Sequence, residues 1–384
     1  MIKNRISIGI LFLLCGINFA SWAIRIPDFK DSLQLSDAQL GGLLMGLPIG
    51  SMISLPLAGW LLTIYRSKMV CVWSVIGYII ILPMLGIIQN SYQLFLGLFL
   101  FGMVGDLLNI SMNTQVVTLE GKTGKTIMSS FHAIFSIGLM LGSMIGGVIS
   151  QMEISTLLHF SIIAFLNLIF IWIFQKYLIN EEPQKKQVDR PNGRFFNLNS
   201  FLIILSFIAF CGMLCEGAMA DWITIYFKET ILISKYPNSI GFSFFAFAMV
   251  LGRLIGDFIS NKFGIKRVLV FSGAFIALGI SILLISNYIT TMIFGCFIAG
   301  LGISIIVPII YSAAGNSKQT TASVAIAGVS TIAYVGFLIG PVLIGYLSDL
   351  YTLRKALVLL IILGMLTSLI SLLFLPKVEK LIIK

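Results

Sequence analysis

The sequence has very little charge. Of its 384 residues only 10% are Asp, Glu, Lys or Arg, against 58% hydrophobic. Soluble domains carry about a quarter charged residues, so a water-soluble globule is excluded and the chain must be an integral membrane protein. Cysteine is scarce too. Cys15, Cys71, Cys211, Cys215 and Cys296 all fall inside apolar runs with no metal-type spacing, which predicts free, buried thiols and no metal site. There are two histidines, His132 and His159; both sit near the ends of apolar runs and read as solvated or capping side chains. No phosphate-binding glycine loop, catalytic triad or metal-ligand set occurs. That argues against ATP-driven transport and against an enzyme, and no cofactor is expected.

What the sequence does have is apolar runs of membrane-crossing length. They fall near 5–25, 38–64, 69–88, 91–118, 127–150, 156–178, 199–227, 239–261, 268–286, 289–312, 322–347 and 355–375. The expectation is an all-α membrane protein of twelve transmembrane helices, six on each side of a polar stretch. That stretch, Asn180 to Asn197, holds seven charged residues and two prolines. The domains expected are a six-helix bundle over 1–179, a cytoplasmic linker over 180–198 and a second bundle over 199–384. Lys3 and Arg5 before the first run, with Ala20, Ser21 and Ala23 at its end, resemble a secretory leader. With so many runs behind it, this one reads as an uncleaved first helix.

The net charge of +10 would suggest nucleic acid in a soluble protein. Here the basic residues lie between the runs. With the N-terminus inside, eighteen Lys and Arg fall on inner segments and six on outer ones. That bias puts both termini in the cytoplasm of a cell with an inner membrane.

The halves repeat. Subtracting 198 carries Gly300 onto Gly102, Phe297 onto Phe99, Lys266 onto Lys68, Gly336 onto Gly138 and Gly340 onto Gly142. Parallel repeats of this kind build transporters with a binding site near the midplane. The same offset sets Glu216 on Asn18, so both halves place a polar group at one depth.

Glu216 is the residue of greatest interest. It lies near the middle of the seventh run, in EGAMADW, with no basic residue before Lys228. A carboxylate at that depth costs several kcal/mol unless it is paired, hydrated or protonated, which suits it to carry a proton. On the fourth run, Asp106, Asn109, Asn113 and Glu120 fall within about 60° of one another on a helix. A polar cavity would solvate them; Asp106 becomes a second proton-coupling candidate, and Asn109 and Asn113 candidate solute contacts. Gln115 faces the other way and reads as glue between helices. On the first run, Asn18, Trp22 and Arg25 share a face: Asn18 and Trp22 are expected to line the cavity, and Arg25 to anchor the interface beside Asp28. Trp222 and Tyr311 could stack on a ring of the solute. Arg253 and Asp257, one turn apart, are expected to neutralise each other and lock a conformation. Pro308 removes a backbone hydrogen bond, so the tenth helix can bend as a gate.

Several stretches carry a family resemblance. The 6+6 plan resembles the major facilitator superfamily, whose loop after the second helix reads roughly G-x-L-a-D-r-x-G-r-k. Here Gly59 to Lys68 has Thr63 in place of the Asp, and the second-half copy, Asn261 to Arg267, has Asn261 there. The segments SWAIRIPDFKDSLQLSDAQLG, NISMNTQVVTLE, FHAIFSIG and EGAMADW are similar to a bacterial branch related to the fucose permeases and described as sugar transporters. GSMIGG resembles the antiporter signature G-P-x-x-G-G with Ser143 in place of Pro. The resemblance implies proton-coupled uptake of a small polar solute such as a sugar, by a monomer in a lipid bilayer. The alternative is a proton-driven exporter of drugs or metabolites on the same fold. Protons and a small molecule are the expected partners; nucleic acid is not.

Overall fold

The computed structural model describes residues 2–124, 127–181, 200–231, 236–315 and 322–375. Sixteen α-helices are assigned among them. The first eight are α1 (Ile2–Ala23), α2 (Ile26–Ser32), α3 (Asp37–Leu44), α4 (Gly46–Ile64), α5 (Ser67–Leu85), α6 (Ser91–Thr123), α7 (Met128–Gln151) and α8 (Thr156–Phe174). The other eight are α9 (Ser200–Thr230), α10 (Ile240–Phe263), α11 (Ile265–Ile285), α12 (Ile289–Ser304), α13 (Ile306–Gly315), α14 (Ala322–Leu350), α15 (Leu353–Ala356) and α16 (Val358–Leu373). Eleven helical stretches among the described residues are long and apolar enough to cross a membrane, while α10 contributes a shorter apolar stretch, Ile240–Gly256.

Local chemistry explains where these helices start, stop and break. Ser36 accepts from the Gln39 amide at 3.2 Å while the Gln39 side chain accepts from the Ser36 amide at 3.0 Å, a reciprocal cap at the start of α3. Asn90 caps α6 and Ser155 caps α8 in the same position. Gly124, at φ 66°, ends α6, and Gly264, at φ 79°, turns the chain from α10 into α11. Four membrane-crossing stretches are each split in two, at residues 24–25, 45, 305 and 357. In the first three a proline (Pro27, Pro48, Pro308) stands in the first turn of the helix that resumes. Those positions have no intrahelical acceptor for an N–H, so proline costs nothing there and denies the preceding turn its bond.

The chain divides into two compact units, Met1–Gln187 with Leu232–Ser243, and Val188–Ile231 with Phe244–Lys384. The expected linker lies, apart from Asn180 and Glu181, outside the described residues. In the first unit α1 packs on α7, α4 on α6, and α5 on both α6 and α8. In the second, α9 packs on α14, and α11 on both α12 and α16. The offset of 198 seen in the sequence also relates contacts. A Cβ on Gly102 would strike the Leu47 carbonyl, and one on Gly300 the Phe245 carbonyl 2.7 Å away. Glycine at both places lets two helices approach backbone to backbone. Large apolar side chains such as Phe165, Trp172, Phe258 and Phe271 point outward, as a lipid-facing surface requires.

Candidate functional site

In the second unit, small residues on α9 let its neighbours close around Glu216. Gly212 faces Ile306 of α13, and a Cβ on Gly217 would sit 3.4 Å from the Phe337 ring of α14. Glu216 is not left alone there. Arg253 Nη2 on α10 donates to its Oε1 at 3.2 Å, and the two side chains are 14% and 22% exposed for Arg253 and Glu216 respectively. Tyr311 on α13 lies within electrostatic reach of Glu216 and hydrogen-bonds Ser330 on α14. The unit thus gathers an acid, a guanidinium, a phenol and a hydroxyl from four helices.

Arg253 thus makes an ion pair between α10 and α9, its guanidinium reaching across to the neighbouring helix; the expected pairing with Asp257 falls on a side chain outside the described residues. Pro308 sits one turn from Tyr311, just past the α12–α13 break. Trp222, expected at the solute, is fully buried with Nε1 unpartnered.

In the first unit, α6 carries a ladder of side chains. Asn113 Nδ2 donates to Asn109 Oδ1 at 3.0 Å and Asn109 Nδ2 to Asp106 Oδ1 at 3.4 Å. Ser54 Oγ on α4 lies 2.9 Å from Asp106 Oδ2. Asp106 is 7% exposed, and Asn113 Oδ1 is buried without a partner. Glu120 departs from the ladder: its Oε1 accepts from the Ile127 and Met128 amides at 2.6 and 2.9 Å, capping the next helix. Gln115, fully buried, ties Ser67 Oγ and both backbone groups of Ile179 at 2.6–2.9 Å.

Two expectations for α1 are corrected. Asn18 does not open on a cavity: it is fully buried and exchanges two hydrogen bonds with Asn167 of α8, at 2.7 and 3.2 Å. Facing each other between helices, the two amides each spend a donor and an acceptor on the other. Trp22 is packed against Phe29 and Phe101 at 1% exposure. Arg25 is no interfacial anchor, since it is 3% exposed. It donates to Asp28 at 2.7 Å, to the Ile154 carbonyl at 2.8 Å and to His159 Nδ1 at 3.1 Å. His159, fully buried, is thereby an acceptor that fastens α8 to the break between α1 and α2, and neither solvated nor a cap.

Sequence alone does not single out Ser54, Asn167 or Ser330. Only Asn167 leaves a signal there, as the one amide in the apolar run Thr156–Phe174. No group of three or more His, Cys, Asp or Glu able to hold a metal occurs among the described residues.

The family model described as Major Facilitator Superfamily matches residues 6–317 and 230–382. The chain belongs to that superfamily. An uncharacterized MFS-type transporter of Yersinia pestis is 31% identical over 356 residues, covering 92% of this facilitator and 91% of that one. Membrane protein MosC of Rhizobium meliloti is 26% identical over 373 residues, covering 96% and 89%. A mutant form of the nucleoside transporter NupG superposes with a TM-score of 0.79 at 16% identity, over 96% of this chain and 98% of that one. At that identity the likeness is one of fold. This facilitator is a multi-pass membrane transporter of a small molecule.

Proposed function

We propose that this facilitator takes up a small polar solute, a sugar foremost, together with a proton, by alternating access. The observation that carries the reading is the Glu216–Arg253 pair at membrane depth, partly exposed and flanked by Tyr311. Intramembrane ionisable residues face cavities or partners and mark solute and ion paths. A proton arriving on Glu216 removes its negative charge and frees the Arg253 guanidinium, whose N–H groups can then hold solute oxygens. Departure of the proton restores the pair. Tyr311 offers the solute a ring and a hydroxyl in the second unit; Asn109 and Asn113 are the proposed solute contacts of the first. Pro308 would let the gate bend beside Tyr311, and Arg253 with Asp257 would hold the resting conformation. One proton moving down a membrane potential contributes roughly 2.3 kcal/mol per 100 mV, enough to drive accumulation.

We further place α10 as the twelfth crossing, and the chain as a monomer in a bacterial-type inner membrane with both termini cytoplasmic. The distribution of Lys and Arg supports that orientation. The test of coupling is Glu216→Gln in reconstituted vesicles. The variant keeps the side-chain shape, so it is expected to exchange solute in counterflow while losing accumulation driven by a pH gradient. Wild-type accumulation by the variant would overturn the role of Glu216.

A further inference from the structure

Hydrogen counting at the seam between α4 and α6 leads to a second site. Ser54 Oγ lies 2.7 Å from the Ser51 carbonyl oxygen and 2.9 Å from Asp106 Oδ2. A serine hydroxyl has one hydrogen to donate and lone pairs with which to accept. The Ser51 carbonyl can only accept, so the shorter contact takes the hydroxyl hydrogen. The contact with Asp106 then lacks a hydrogen unless the carboxyl supplies it. We infer that Asp106 carries a proton on Oδ2 and donates it to Ser54 Oγ, forming a proton-binding site distinct from the Glu216–Arg253 pair.

The surroundings agree. α6 packs against α1, α3, α4, α5 and α7. Cys15 of α1 and Tyr78 of α5 are titratable groups within electrostatic reach of Asp106, and neither carries charge at neutral pH in its ordinary form. The ion pairs among the described residues do not include Asp106. An ionised carboxylate here would be a bare charge with two neutral donors, a costly arrangement at membrane depth. Nor does packing demand an acid. The positions 198 further on are Gly252 and Ser304, which meet so closely that a Cβ on Gly252 would strike Ser304 Oγ. That seam closes with a serine and a glycine.

The far end of the ladder gives the site a use. Its hydrogen bonds run from Asn113 through Asn109 to Asp106, leaving Asn113 Oδ1 buried and unpartnered. A solute hydroxyl donating to that oxygen would make Asn113 a better donor down the chain. Solute at one end and proton at the other are thereby linked; this use, unlike the proton assignment itself, rests on the uptake reading above.

The experiment is infrared spectroscopy of the full-length protein in lipid at neutral pH. The wild type is expected to show the C=O stretch of a protonated carboxylic acid, lost in Asp106→Asn. Ser54→Ala should retain that band and shift it upward, because the carboxyl O–H loses its acceptor. A wild type without the band, or one whose band survives Asp106→Asn, overturns the assignment. Should Asp106→Asn fail to fold, Ser54→Ala decides: a band it leaves unmoved is equally fatal. Absence of pH-driven uptake in the wild type would sink the transport reading and leave the band in place, so the two failures are separable.

Discussion

Removing either member of the Glu216–Arg253 pair should destabilise the second unit, and removing both should cost less than the sum. At 3.2 Å two unit charges attract by about 5 kcal/mol at an effective dielectric constant of ~20. Desolvation and side-chain ordering offset much of that. Exposed pairs net about 0–1 kcal/mol, and breaking a buried pair costs about 3–5 kcal/mol because a charge is left unpaired. Side chains 14% and 22% exposed sit between those limits. Glu216→Gln and Arg253→Gln are therefore expected to cost about 2–3 kcal/mol each, with a coupling of about 2 kcal/mol recovered in the double variant. The assay is a double-mutant cycle of denaturant unfolding in one detergent at neutral pH. Additivity of the two changes within about 0.5 kcal/mol would refute the pair as an energetic unit. It would also remove the basis for a proton on Glu216 freeing Arg253.

Gln115→Ala deletes one side-chain partner and strands the Ile179 N–H and C=O. At about 1–3 kcal/mol for each buried group left unsatisfied, the thermal midpoint should fall clearly while the solute KM stays unchanged; a changed KM with an unchanged midpoint would show that the α6 ladder faces the wrong way. Asn18→Leu and Asn167→Leu should each lower the midpoint, since each leaves a buried amide without its partner. The double substitution should recover most of the loss, and solute affinity governed by Asn18 alone would contradict its place in the core.

On α6 the helical period is enough to sort the side chains. The wheel separates Asp106, Asn109 and Asn113 from Gln115, and the structure has the first three bonded in sequence along one face and Gln115 buried on the other. Period fails where the partner is a different helix. Asn18 lies on the same stripe as Trp22, and nothing within α1 tells an amide facing water from one facing Asn167, 149 residues away. Arg253 shows the same limit: nothing within α10 tells that its guanidinium reaches an acid 37 residues back, at Glu216.

By itself the sequence determined the properties that a single helix has in a bilayer: the membrane class, the positions of the apolar spans, the bend at Pro308 and the repeat at 198. Those depend on hydrophobic length and on backbone hydrogen bonding, which are local and therefore written along the chain. Only the tertiary structure decided which polar groups are spent on each other. Asn18 with Asn167, Arg25 with His159, Glu216 with Arg253 and Asp106 with Ser54 are each joined across two helices. In a medium without water a polar group must find its partner inside the protein, and which partner it finds depends on how helices distant in sequence are brought side by side.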